Sequence, residues 1–173
     1  LQFRVIGEDG MLRSLHLAFA LLCAALGSQL PAFHDQYLQR VGGALDEVNQ
    51  QIEAMDMRAQ DAGLGRYDYI RRFYDNSDSV IQGEGQAMLT TLARQERLQE
   101  IEARLQDVSW YMLAVEMVFH LEPDIALNTA KNFGPAVPLS ISGLAHAFFG
   151  FFFGYLIPSA IRSLFPRKEI ARG

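Results

Sequence analysis

The chain has 173 residues, half of them hydrophobic, with a formal charge of −5, a single cysteine and 4 histidines. One cysteine excludes both a disulfide framework within the chain and a zinc site built on paired cysteines. The charge is uneven: residues 35–131 hold 9 Lys or Arg against 17 Asp or Glu, a net of −8, which argues against nucleic acid as a partner, since phosphate binding needs a basic footprint.

In chain order, residues 1–11 come first. The decapeptide LQFRVIGEDG matches no later pattern, and Met11-Leu12-Arg13 reads as a start, so this stretch is set aside as an N-terminal extension. Residues 12–33 form the first predicted span. Ser14 to His34 is a run of 21 residues without a formal charge, between Arg13 and Asp35, and about 20 apolar residues cross a bilayer. A cleaved signal peptide is the rival reading, because Ala25-Leu26-Gly27 resembles a cleavage site. The length of the run and the presence of a second span favour a retained helix. Cys23 inside it reads as a small hydrophobe.

Residues 34–132 are predicted to be a helical hairpin. After Pro31, Leu38, Val41, Leu45, Val48, Ile52, Met55, Ala59 and Ala62 recur in alternating steps of three and four, a heptad seam. Gly63-Leu64-Gly65 ends that helix. A short aromatic segment, Tyr67 to Tyr74, carries Ile70 and Phe73. Asp75-Asn76-Ser77-Asp78 then marks a turn and a new N-cap. A long helix is predicted from Ser79 to His120, weakened near its start by Gly83 and Gly85. Its seam is Leu98, Ile101, Leu105, Val108, Met112, Val115 and Phe119.

Two seams joined by a turn suggest an antiparallel pair with arms 34–62 and 92–120, each about 43 Å long at 1.5 Å per residue. That register sets Gly42 and Gly43 against Tyr111 and Met112. Glu122-Pro123-Asp124 breaks the helix, and a short helix from Asp124 to Asn132 is expected near the membrane surface.

Residues 133–165 are a Pro-Gly loop and the second span. From Asn132 to Ile161 there are 30 residues without Asp, Glu, Lys or Arg. Ser140 or Ser142 is placed to cap this helix, and Pro158 to kink it. Residues 166–173 form a tail. Arg13 precedes span one, and Arg162, Arg167, Lys168 and Arg172 follow the core of span two. Basic residues stay on the cytoplasmic side, so both termini are expected inside and the acidic middle outside. The fold class expected is therefore an all-α membrane protein, with two transmembrane helices joined by a long periplasmic antiparallel helical hairpin.

Two segments carry a resemblance. They are Pro31-Ala-Phe-His-Asp-Gln-Tyr-Leu-Gln-Arg-Val-Gly-Gly-Ala-Leu-Asp-Glu-Val48 and Phe133-Gly-Pro-Ala-Val-Pro-Leu-Ser-Ile-Ser-Gly-Leu-Ala-His-Ala-Phe-Phe-Gly150. Together they resemble a family of short bacterial membrane proteins known only as a domain of unknown function, over roughly Met11 to Lys168. The resemblance implies a two-span protein of a Gram-negative inner membrane. It implies no activity and no functional residue.

The candidate chemistry is sparse. His16 and His146 fall near opposite ends of antiparallel spans and do not share a ligand; each reads as a helix-packing histidine. The predicted register gathers His34, Asp35, Glu116 and His120 at one end of the hairpin, a donor set that suits zinc or another divalent cation. No other cofactor is implied, and no nucleophile constellation or nucleotide-binding glycine loop points to an enzyme.

Small residues offer packing chemistry. Gly143, Ala147, Gly150 and Gly154 share a face of span two, with Gly150-Phe-Phe-Phe-Gly154 as a GxxxG motif. Ala20, Ala24 and Ser28 give span one a matching stripe. The two stripes pack on each other, or the glycine face meets another copy or a larger membrane protein. The phenylalanines around the glycines read as lipid-facing. Val108 to Leu121 has more apolar residues than one seam uses, and Trp110, Tyr111 and Phe119 stand out as a partner surface.

The function expected is a non-enzymatic interaction protein of the bacterial inner membrane, with the bilayer and either itself or a larger membrane complex as partners. It would act as a homo-oligomer or as an accessory or scaffold subunit. The alternatives are an oligomeric channel or transport component, and a metal-binding sensor or enzyme at the periplasmic surface.

Overall fold

The computed structural model describes residues 3–135 and 140–164. Residues 136–139 and the basic residues Arg167, Lys168 and Arg172 lie outside that range. All regular structure among the described residues is helical: α1 (Phe3–Ser28), α2 (Leu30–Asp61), α3 (Arg66–Tyr74), α4 (Ser79–Gln106), α5 (Leu113–His120), α6 (Pro123–Lys131) and α7 (Ile141–Leu164). The helices fall into two compact units. One comprises residues 1–33 and 134–173, the other His34–Phe133.

In the first unit α1 packs on α7. Residues 3–10, set aside on sequence, are part of α1. The helix ends at Ser28, whose hydroxyl donates to Ala25 O at 2.7 Å. Pro31 follows in the first turn of α2, where its missing N–H costs nothing. Ser140 caps α7 by accepting the Gly143 N–H at 3.0 Å, so the cap is Ser140 and not Ser142. Helix α7 runs through Pro158 to Leu164.

The second unit is built on α2 and α4. The buried positions of α2 are His34, Tyr37, Val41, Leu45, Val48, Ile52, Met55 and Ala59. The predicted stripe therefore holds from Val41 to Ala59 and begins at His34 and Tyr37 rather than Leu38. Opposite it, α4 buries Leu98, Ile101 and Leu105. Asn49 receives a hydrogen bond from Gln95 Nε2 at 2.6 Å, and His34 Nε2 donates to Leu105 O at 2.9 Å.

The end of α2 is a Schellman motif. Gly63 has φ +69°, its N–H reaches Gln60 O, and the Leu64 N–H reaches back to Ala59 O at 2.9 Å. Asp78 caps α4 by accepting the Val80 N–H at 2.9 Å. Helix α3 lies on α4 at very short range. A Cβ on Gly85 would stand 2.5 Å from Tyr74 N, so Gly85 permits a close backbone approach and is more than a weak point in the helix.

The predicted single helix from Ser79 to His120 is interrupted. Helix α4 stops at Gln106, and α5 starts at Leu113. Asp107, Val108 and Ser109 are poor helix residues, through backbone competition in Asp and Ser and β-branching in Val. The Ser109 carbonyl then accepts the N–H groups of Met112 and Leu113, which restarts the helix in a new phase.

The seam is corrected accordingly. Leu113 and Met117 are buried, whereas Met112, Val115 and Phe119 are exposed, Phe119 by 74%. The chain also doubles back. Glu122, well beyond the end of α4, lies 3.5 Å from Arg97, and its N–H donates to Tyr37 Oη at 2.8 Å.

Candidate functional site

The proposed metal cluster depends on the end of α4, and the break at Asp107 changes it. His34 spends Nε2 on the Leu105 carbonyl, and its Nδ1 lies 3.3 Å from Asp35 Oδ1. Glu116 and His120 form a separate pair one helical turn apart on α5, with Oε2 and Nδ1 at 2.8 Å. Both of those atoms are shielded from solvent and have no other polar partner among the described residues. No group of three His, Cys, Asp or Glu among the described residues is placed to hold a metal ion. The four residues are thus two local pairs: His34 ties α2 to α4, and His120 lies against Glu116.

The hairpin register is corrected with it. The side chain nearest a Cβ on Gly42 is Glu102, at 3.6 Å, and nothing lies within 4 Å of one on Gly43. Neither glycine faces Tyr111 or Met112. Tyr37 supplies an anchor that the periodicity did not single out. It is fully buried, and burial pushes its phenol above the usual range, partly offset by the hydrogen bond from the Glu122 N–H. A tyrosine in phase with an apolar stripe was the available signal.

The small-residue face is the most tightly built feature of the first unit. A Cβ on Gly27 would stand 2.6 Å from His146 O. One on Gly150 would meet the backbone of Cys23 and Ala24, and one on Gly154 would stand 2.8 Å from Cys23 Cβ and 3.0 Å from Ala20 Cα. Ala20, Ser28, Gly143 and Gly154 are buried, while Ala24, Ala147 and Gly150 are partly so. Small residues let two backbones touch, and here the touching backbones belong to α1 and α7 of one chain. Gly27, read on sequence as part of a cleavage-like tripeptide, belongs to the same contact.

His146 is buried there and donates from Nδ1 to Ser142 O at 2.8 Å. The pairs 27/146, 23/150 and 20/154 leave His16 far along α1 from His146. The phenylalanines point the other way: Phe148, Phe149, Phe152 and Phe153 are 44–64% exposed.

The third feature is the aromatic stretch around the break. Trp110 and Tyr111 are exposed and meet edge to face with centroids 5.7 Å apart. On α5, Val115, Val118 and Phe119 form one exposed face, because residues three and four apart are neighbours on a helix.

These features define an all-helical protein with two helical stretches, Arg13–Asp61 and Ile141–Pro158, long and apolar enough to cross a membrane. The chain belongs to the family described as Protein of unknown function (DUF2937), which it matches over residues 11–169. No curated protein and no solved structure matches it.

Proposed function

We propose that the chain is a non-enzymatic interaction protein of a bacterial inner membrane. It acts as a homo-oligomer or as an accessory subunit of a larger membrane assembly. In this reading α1 and α7 are the two spans, both termini are cytoplasmic, and α2 and α4 form an antiparallel periplasmic hairpin. The basic residues flanking the spans support that orientation.

The observation that carries the interaction reading is at the α3 end of the second unit. Tyr67, Tyr74, Val80 and Ile81 are exposed there, Tyr67 by 68% and Val80 by 76%. Aromatic residues are enriched where protein surfaces recognise one another. The glycine face of α7 is occupied by α1, so it is not where a partner is sought.

The test is purification from native membranes in mild detergent, with the particle mass measured and every co-purifying chain identified. The expected result is a mass above that of the 19.4 kDa chain, falling to the monomer in a Tyr67→Asp, Val80→Asp double variant. A wild-type particle that is monomeric and alone overturns the reading.

A further inference from the structure

The exposed apolar face of α5 is not explained by packing inside the second unit. Its inner residues, Leu113 and Met117, are almost fully buried. Its outer residues, Val115, Val118 and Phe119, are 45%, 75% and 74% exposed, and Trp110, Tyr111 and Met112 precede them at 48%, 65% and 38%. A helix in water normally turns polar residues outward, and α5 turns apolar ones.

The polar content of α5 is also turned away from its exposed face. In LAVEMVFH the ionisable groups are Glu116 and His120, and their facing atoms sit 2.8 Å apart and shielded from solvent. The pairing turns these two polar atoms toward each other and away from solvent.

The position of α5 within its own unit adds the third observation. His34 is bonded to Leu105, one residue before the end of α4, and Tyr37 is bonded to Glu122, just after α5. The α4–α5 break therefore lies at the end of the unit where α2 begins its run through it. His34 directly follows Phe33, the last residue of the first segment of the other unit. If the uncharged run Ser14–His34 is in a bilayer, the covalent chain alone puts His34 at its surface.

We infer that Trp110–Met112 and the outer face of α5 are a membrane-interface anchor, whose occupant is the boundary between lipid headgroups and acyl chains. Trp and Tyr are enriched at that depth, and an interfacial helix buries its apolar face about 5–10 Å into it. The driving force is apolar burial rather than charge: the ionisable groups nearest in sequence are Arg104, Asp107, Glu116, His120, Glu122 and Asp124, with more acids than bases, and Glu122 is paired to Arg97. Zwitterionic lipid is therefore sufficient, and binding does not weaken with salt.

The inference rests on the membrane reading of α1 and α7, and the experiment separates the two. Trp110 is the only tryptophan, so its fluorescence in the intact chain reports on this site alone. The chain is reconstituted in phosphatidylcholine vesicles carrying bromine either near the carbonyls or near the bilayer centre. A second protein, Trp110→Phe with Phe152→Trp, reports on α7.

The expected result is loss of Trp110 emission with the shallow bromines, little loss with the deep ones, and no change with added salt. The α7 reporter is quenched whatever the outcome at Trp110, provided that the spans insert. A Val118→Asp, Phe119→Asp variant changes exposed positions only and should relieve the Trp110 quenching while leaving the helical circular dichroism intact.

Trp110 quenched by aqueous acrylamide and untouched by bromine overturns the anchor. Trp110 shielded from both also overturns it, because protein then covers the site. Failure at both reporters sinks the membrane reading as well.

Discussion

The two units hold their helices together by opposite means. In the first, α1 and α7 meet backbone to backbone at Gly27, Gly150 and Gly154, where a single added Cβ would collide. In the second, α2 and α4 are joined where large side chains are buried, Val41, Leu45, Val48, Ile52 and Met55 on α2 and Leu98, Ile101 and Leu105 on α4. On the proposed membrane reading of α1 and α7, the difference follows from the solvent that each apolar surface would otherwise face. In water, apolar area removed from solvent is worth about 25 cal/mol per Å², so large residues drive association. Between helices in lipid that driving force is absent, and close van der Waals approach takes its place. The first unit accordingly keeps its large side chains on the outside, with Leu22, Leu26, Phe148 and Phe153 all exposed.

Truncation is the strongest way to break the contrast. Leu98 is 1% exposed, and Leu98→Ala should destabilise the second unit by about 2–5 kcal/mol through lost burial and a residual cavity. Phe153→Ala, at 55% exposure, should cost far less in detergent or lipid. Chemical denaturation of the full chain, followed by circular dichroism, compares the two directly. Similar losses would remove the distinction.

Enlargement is the next test, and it should invert the ranking. Gly150→Ala drives a methyl group into Cys23 O and the Ala24 backbone, where only backbone is available to move, and overpacking of this kind costs about 1–3 kcal/mol. The same change at Gly43 meets nothing within 4 Å. There it should stabilise α2 by about 0.5–1 kcal/mol, because alanine loses less backbone entropy in a helix than glycine does. Opposite signs for one chemical change are expected in thermal melts of the two variants. A neutral Gly150→Ala would mean that α1 and α7 sit further apart.

Much of this was legible in the residues, for identifiable reasons. The α2 stripe was readable because its three–four alternation has one phase only, and its end because Gly63 supplies a positive φ. The break in α4 was not, because Val108, Met112, Val115 and Phe119 continue the Leu98 seam as well as Leu113 and Met117 begin a new one. Periodicity does not choose between two phases; the Asp107-Val108-Ser109 tripeptide does, by restarting the helix.

The other differences follow from that break. With α4 ending at Gln106, Gly42 lies against Glu102 rather than Met112, and His34, Asp35, Glu116 and His120 form two pairs. The GxxxG motif was visible, but a motif on one helix does not name its partner. The complement on α1, Ala20, Ala24, Gly27 and Ser28, settles the partner as α1.

The smallest effect expected concerns the α3 end of the second unit, where the two means of association meet a third. Arg66 Nε donates to Asp56 Oδ1 at 2.7 Å, joining α3 to α2 by charge in a place where both side chains are about a third exposed. The hydrogen bond from Arg66 holds the Asp56 carboxyl below the usual carboxylate range. Folding therefore favours the ionised form. The stabilisation is fully present above the unfolded carboxyl value, about 3.9, and is lost as pH falls through the lower folded value.

Solvent screening keeps the magnitude under about 1 kcal/mol. Asp56→Asn should accordingly cost a few tenths of that scale at pH 7 and nothing once the wild-type carboxyl is protonated. The Gly150→Ala penalty should not follow this carboxyl titration, since its contact at Cys23 and Ala24 contains no carboxylate. Unfolding midpoints of the three proteins, measured at neutral pH and again below the carboxylate range, separate the two behaviours. An Asp56→Asn cost that is the same at both pH values would show that shape, rather than charge, seats α3 on α2.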